Sequence, residues 1–383
     1  MPVKILHFAD VHLGQTNFGR IDSETGLSSR VLEFLEGLDL IADAAEEIEP
    51  DVILFAGDAF RSRTPNPSLL SHLTERFQRM ANVAPVVSVI GNHDRQRGGS
   101  GKRHSTTILN EVTAKYPIIV EDRITTLFLN NDLYVITLPW FFAQDTTIEE
   151  VCDQLDTALA ETDVAHPVIL LGHCDVEGAI YHGTYGPSFD RNLVYPLDML
   201  CDPEAWDYIA LGHVHKHQSL CKDPPVVYAG SIDYVDWGER DDPKGFITAT
   251  VEPGSASWTF HNLQPRSLVE VNVENDKHMR QMLKDYPVDG AIVRVNVHSK
   301  RHADRGKIMR IIEESLQGEY QLDGVNIHTD EEQRQREFAG RRLEEKDVRE
   351  LVELYLTEKY PDALDWVDKC MKYADLIFEE EEE

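Results

Sequence analysis

Short apolar runs and helical spacings alternate along the first two thirds of the chain. Residues 3–9 read as an apolar-rich strand that stops at Asp10. Val31, Leu32, Phe34, Leu35, Leu38, Ile41, Ala42, Ala45 and Ile48 recur on one helical face, predicting a helix over 28–49. Residues 51–56 form a short buried-type strand followed by Gly57-Asp58. Pro67 to Met80 predicts a second helix, with Pro67 and Ser68 near its start. Val86 to Ile90 is again a strand, followed by Gly91-Asn92-His93-Asp94. Later, residues 168–171 run into Gly172-His173, and 208–211 run into Gly212-His213-Val214-His215. Strands at 118–120, 125–129, 133–138, 226–228 and 246–251 fill a β-rich remainder. The recurring unit is an apolar strand, usually a glycine, then a polar residue able to act as a ligand. Ligand sites of α/β sheets lie at the carboxyl ends of strands. Five strands are therefore expected to deliver polar residues to one edge of the molecule.

The pattern changes near Pro265. Strands at 268–273 and 291–297 and a helix at 305–316 predict a smaller α/β unit over 266–345. Helical spacings at 348–356 and 363–378, followed by five glutamates at 379–383, make 346–383 a pair of C-terminal helices with an acidic tail. Residues 1–265 are then the main domain.

Charge changes the picture. Lys+Arg number 37 against 68 Asp+Glu, a net of −31, so the chain is expected to bind nucleic acid poorly unless local patches, metal ions or a partner supply the attraction. No apolar run reaches the ~18 residues of a spanning helix. The opening residues lack the apolar length and cleavage site of a signal peptide, which makes the cytoplasm the expected location, nucleoid-associated in a prokaryote. The five cysteines, Cys152, Cys174, Cys201, Cys221 and Cys370, have neither zinc nor redox-pair spacing and are expected as reduced thiols.

The strand-end residues carry the chemistry: Asp10, His12, Asp58, Asn92, His93, His173, His213 and His215. Carboxylate, imidazole and amide donors together suit first-row divalent metals. There are enough for two ions, with Asp58 able to bridge them. Two such ions about 3.5–4 Å apart activate water and clamp the attacking and leaving oxygens of a displacement at phosphorus. Asp and Asn also favour ordinary turns, but that does not account for seven metal-type ligands in one order behind apolar strands. The other histidines, His182 and His217 among them, lack the strand-glycine setting and read as surface or core residues. The segment Arg95-Gln96-Arg97-Gly98-Gly99-Ser100-Gly101-Lys102-Arg103-His104 is locally basic, either a phosphate-contacting loop through Arg95, Arg97, Lys102 and Arg103 or a solvated one.

Asp10-Val11-His12, Gly57-Asp58, Gly91-Asn92-His93-Asp94, Gly172-His173 and Gly212-His213-Val214-His215 resemble the calcineurin-like metallophosphoesterase signature, complete and in order. Gly57-Asp58-Ala59-Phe60, the Asn66-Pro67 helix start and the stretch from Gly230 through Trp237-Gly238-Glu239 to Phe246 are similar to SbcD-type double-strand-break-repair nucleases. The resemblance implies an α/β fold: a four-layer αββα sandwich with a smaller α/β DNA-capping domain and C-terminal helices. It implies that Asp10, His12, Asp58 and His215 hold one metal and Asp58, Asn92, His173 and His213 the other. The ions would be two Mn²⁺, with Mg, Fe or Zn as alternatives. His93 would contact the scissile phosphate, and Asp94 would orient it. Some relatives carry a histidine where this chain has Arg61, which can bind phosphate but cannot shuttle a proton at neutral pH. That puts the balance of exonuclease and endonuclease action in question. Partners implied are DNA ends, a second copy pairing through the helices at 31–48 and 67–80, and an SbcC-like SMC-type ATPase on the C-terminal helices, with no membrane. The expected activity is manganese-dependent hydrolysis of phosphodiester bonds at DNA ends. The alternatives are a small-molecule phosphodiesterase or phosphatase of the same fold, and a non-catalytic scaffold.

Overall fold

The structure is a computed structural model that describes residues 2–96, 104–129, 132–182, 192–299, 304–329, 356 and 369–371. It divides into two compact units, Met1–Leu268 and Val269–Glu383.

The first unit starts with strand β1 (Val3–Phe8), helix α1 (Ser29–Ile48), β2 (Val52–Phe55), α2 (Pro67–Ala81), β3 (Val86–Val89) and β4 (Ile118–Glu121). Then come β5 (Thr126–Leu129), β6 (Leu133–Leu138), α3 (Ile148–Leu159), β7 (Val168–His173), β8 (Asp175–Val176) and β9 (Val194–Tyr195). The short α4 (Leu197–Leu200) leads to β10 (Tyr208–Gly212), β11 (Gln218–Lys222), β12 (Pro225–Tyr228), β13 (Gly245–Glu252) and β14 (Ser255–Asn262). Ser28 caps α1 and Asn66 caps α2, each side chain accepting a backbone N–H of the first turn.

Two six-stranded sheets result, ordered β14-β13-β1-β2-β3-β4 and β11-β12-β10-β7-β6-β5. Strands β1 to β4 run parallel, as do β6, β7, β10 and β12. Period-two alternation sorts the side chains into three apolar layers. Leu6, Phe8, Ile53 and Phe55 face α1 and α2. Ile5, Val52, Leu54 and Val87 face Val135, Ile169, Leu171 and Tyr208 of the other sheet. Ile136, Leu170, Ile209 and Val226 face Val151 and Leu155 of α3 and Leu200 of α4. Strands buried on both faces read as continuous apolar runs, and stacking them this way gives the expected helix–sheet–sheet–helix sandwich.

In the second unit β15 (Leu268–Glu274), α5 (Met279–Asp285), β16 (Ile292–Ser299), α6 (Arg305–Ser315) and β17 (Gln321–Thr329) form a three-stranded sheet β15-β16-β17. Val271, Val293 and Val295 pack with Leu283, Ile308 and Ile312 of its two helices. The expected helices over 346–383 fall almost wholly outside the described residues.

Some elements were not foreseen. Helix α3 has a complete capping box, Thr147 with Glu150, a signal readable in Thr147-Ile148-Glu149-Glu150. The reading of all cysteines as reduced thiols is corrected: Cys201 and Cys221 form a disulfide, with Cα atoms 6.0 Å apart. The turn after α4 and the edge strand β11 bring them together across 20 positions, which spacing alone does not show. Among the described residues no helix is long and apolar enough to cross a membrane.

Phe77 of α2 is fully buried against Phe8 and Phe55, ring centroids 6.0 and 5.3 Å away. Phe77→Ala is expected to destabilise the first unit by about 3–5 kcal/mol, read as a lower urea midpoint.

Candidate metal centre

The carboxyl ends of five parallel strands meet at one edge of the first unit. β1 delivers Asp10 and His12, β2 Asp58, β3 Asn92 and His93, β7 His173, and β10 His213 and His215. The loops interlock through the backbone: Asp10 N donates to Gly57 O (3.0 Å), His12 N to Asp58 O (3.0 Å) and Leu13 N to Ala59 O (2.9 Å). Asp10, His12, Asp58 and His213 all adopt positive φ, at 52°, 45°, 59° and 96°. Such backbone costs of order 1–3 kcal/mol per residue and persists where the surroundings over-determine it. Gly91 is required by close approach, since a Cβ there would lie 2.1 Å from Asp58 Oδ1.

Donor atoms gather in two sets. Asp10, His12 and His215 can each place one ligand atom within a common 4.8 Å. Asn92 Oδ1 lies 3.0 Å from His173 Nε2 and 3.1 Å from His213 Nδ1. Asp58 stands between the sets, its Oδ2 3.6 Å from both His12 Nε2 and His173 Nε2. His93, expected outside the ligands, also falls within 4.8 Å of ligand atoms of His12 and Asp58.

Three imidazoles are oriented by an acceptor on the nitrogen facing away from these donors. His173 Nδ1 lies 2.6 Å from Ala56 O, His215 Nδ1 2.7 Å from Glu239 Oε1, and His213 Nε2 3.0 Å from Asp175 Oδ1. Holding the proton there leaves the other nitrogen with its lone pair turned inward. The Nε2 atoms of His12 and His215 are 2.9 Å apart, and His12 Nδ1 is buried without a hydrogen-bond partner among the described residues. Two lone pairs that close need a proton or cation between them. The donor set therefore fits divalent metal, hard carboxylates with borderline imidazoles.

Electrostatics agree. Burial, reinforced by the charge of Asp58, pushes Asp10 up to about 7 despite the opposing pull of His215 and His213. Burial lowers His173 to about 4 and His12 well below the usual imidazole range, so both rings are neutral near pH 7. Burial would lower His213, but Asp175 outweighs it and raises the ring. Burial would raise Glu239, but His215 and Lys244 outweigh it and hold the carboxyl at about 2.

Two expectations are corrected. Asp94 does not serve as the orienting partner of the His93 ring. Its buried carboxylate accepts from Asp58 N (2.9 Å), Ala59 N (3.1 Å) and Gly91 N (3.1 Å), tying two loops together. His93 Nδ1 instead sits 3.1 Å from Arg61 O and 3.3 Å from the Arg61 guanidinium. Arg95, expected to face phosphates, turns inward: its guanidinium donates to Trp140 O (2.6 Å) and stacks over Phe141. A buried backbone carbonyl is a strong acceptor, and the sequence carries no sign of where that carbonyl lies. Arg97, Lys102 and Arg103 lie outside the described residues. Arg61 lines the same cleft as His12, Asp58, Asn92, His93, His213 and His215, an opening of about 160 Å³.

Sequence reasoning missed the residues behind the ligands. Asp175, on His213, follows the Gly172-His173 pair by two positions, without a strand-glycine cue of its own. Glu239 lay inside the quoted 230–246 stretch without a role. There it joins His215 to Lys244, whose ammonium contacts Glu239 Oε2 (2.8 Å) and Ser231 Oγ (2.9 Å). Trp140 packs on His213 at 4.7 Å between ring centroids. His182 lines the cleft although it was set aside as an ordinary histidine.

A protein-family model described as "Calcineurin-like phosphoesterase" matches residues 3–217, more than half of the chain and every strand-end residue from Asp10 to His215.

Two outcomes follow from this geometry. Glu239→Gln combined with Lys244→Met, which spares the fold a buried unpaired ammonium, is expected to weaken manganese binding by about 10–100-fold in calorimetry. The second outcome concerns pH. In the metal-free protein Asp10 keeps a proton up to about 7 that an unfolded chain releases near 4, so its contribution weakens the fold as pH rises through that window. Metal needs the ligands deprotonated and cancels the Asp10 share. The difference in Tm between metal-loaded and metal-stripped protein is therefore expected to be larger at pH 8 than at pH 5.5.

Proposed function

The chain belongs to the calcineurin-like phosphoesterases, metal-dependent hydrolases of phosphoesters, and from that premise we propose that it is a manganese-dependent nuclease cleaving phosphodiester bonds at DNA ends. The observation that carries this reading is the position of the 230–246 segment, the stretch similar to DNA-end nucleases. Its Val235 lines the cleft, and its Glu239 grips the ligand His215.

Two bound ions would supply positive charge on the phosphate and an activated water. Asp10, His12, Asp58 and His215 would hold one, and Asp58, Asn92, His173 and His213 the other. The chain's own residues do the rest. The Asp94 carboxylate fixes the Asp58 and Gly91 loops at one spacing. Arg61 presents a guanidinium in the cleft, suited to a phosphate oxygen. The Arg61 carbonyl anchors His93 at Nδ1, leaving Nε2 as the atom that passes a proton to the leaving oxygen. Burial lowers the pKa of His93, and a phosphate's negative charge beside the ring favours the protonated form.

In this reading DNA affinity comes from outside the chain. A net charge of −31 repels a polyanion, so an SbcC-like SMC-type ATPase supplies the attraction, while a second copy of the chain pairs with the first. The residues expected to dock the ATPase, within 346–383, lie almost entirely outside the described ones.

The test is cleavage of linear and hairpin-ended DNA with manganese, with and without the ATPase. His93→Ala is expected to reduce cleavage by about 10²–10⁴-fold while manganese binding survives. Wild-type protein that hydrolyses small phosphodiesters yet leaves DNA uncut with manganese and partner present would replace this reading with a small-molecule phosphodiesterase.

A further inference from the structure

His182 lines the cleft beside the metal-type donors and is about two-fifths exposed, 39% by side chain. Its Nδ1 lies 2.8 Å from Asp242 Oδ1, and its Nε2 lies 3.1 Å from the ammonium of Lys216. Lys216 directly follows His215, and its ammonium is also 3.9 Å from Asp242 Oδ1. Asp242 is buried, and its second oxygen, Oδ2, has no hydrogen-bond partner among the described residues.

Stability does not explain this cluster. His182 and Lys216 keep part of their side chains in solvent, 39% and 26%, which screens their attraction to Asp242. A structural network also satisfies its buried acceptors, and this one leaves a carboxylate oxygen open. What the cluster does achieve is positional. A buried carboxylate anchors an imidazole that lines a phosphoester-hydrolysing cleft, and an ammonium stands against that imidazole. The Lys216 ammonium gives one of its protons to His182 Nε2 and has others to donate to an anion.

We infer that His182 and Lys216, anchored by Asp242, form a subsite for a second phosphate of the substrate, one that is not cut. This rests on the nuclease reading and sharpens it, because a nucleotide chain always carries a phosphate next to the scissile one, as nucleoside bisphosphates and polyphosphates also do. Arg61 and His93 serve the scissile phosphate; His182 and Lys216 serve its neighbour.

The experiment uses two synthetic esters with the same leaving group, the p-nitrophenyl ester of thymidine 5′-phosphate and the same compound bearing an added 3′-phosphate. Both are assayed on the full-length manganese-loaded protein. The ratio of kcat/KM, bisphosphate over monophosphate, is compared between wild type, Lys216→Ala, Lys216→Arg and His182→Ala. Wild type is expected to favour the added phosphate by roughly tenfold, the scale of one charge-assisted hydrogen bond. Both alanine variants are expected to lose that preference, and Lys216→Arg to keep part of it. A purely structural role would lower both rates together and leave the ratio unchanged, and that result overturns the subsite. Uncut DNA with an intact bisphosphate preference would remove the nuclease reading and leave the subsite standing, its ligand then a small nucleotide.

Discussion

Asp94 holds the centre together without facing into it. One buried carboxylate takes backbone N–H groups from Asp58, Ala59 and Gly91, and so sets the distance between the loops that follow β2 and β3. Everything inward depends on that spacing. Asp58 Oδ1 accepts from His93 N at 2.8 Å, and Asp58 Oδ2 faces His12 and His173. The arrangement costs energy twice, in left-handed backbone at Asp58 and in a carboxyl that burial and the Asp58 charge push up to about 8. Local strain and buried charge of this kind are stable only inside a sandwich that over-determines them.

The second layer of the centre is a set of proton anchors. Ala56 O, Glu239 and Asp175 each take one imidazole nitrogen, and so decide which face of each ring carries a lone pair. These anchors come from different parts of the chain: the turn after β2, the 230–246 segment and β8. The 230–246 segment is also tied elsewhere. Asp233 and the Tyr234 carbonyl hold the buried guanidinium of Arg30 at the start of α1. His215, one of the metal-type donors, is thereby linked to the outer helical layer through one connected hydrogen-bonded segment.

Acidity and function are compatible because charge is arranged locally. Arg61 and His182 line the cleft, and the Lys216 ammonium stands against His182. Among the described residues most other carboxylates are exposed or half-exposed, where water screens them.

The order of apolar strand, glycine and polar residue was sufficient to place seven ligand-type residues and His93 at one sheet edge, and to predict the main strands and both large helices. That is so because period-two and helical spacings report burial directly, and because parallel strands share one carboxyl end. Contacts between distant positions carry no such period. Nothing local links Glu239 to His215, Asp175 to His213, or Cys201 to Cys221. Nothing local turns Arg95 onto the Trp140 carbonyl, moves Asp94 away from the His93 ring, or brings His182 beside Lys216. Those were decided only when two sheets stacked and their loops met, since hydrogen bonds between side chains are set by distances that the fold alone supplies.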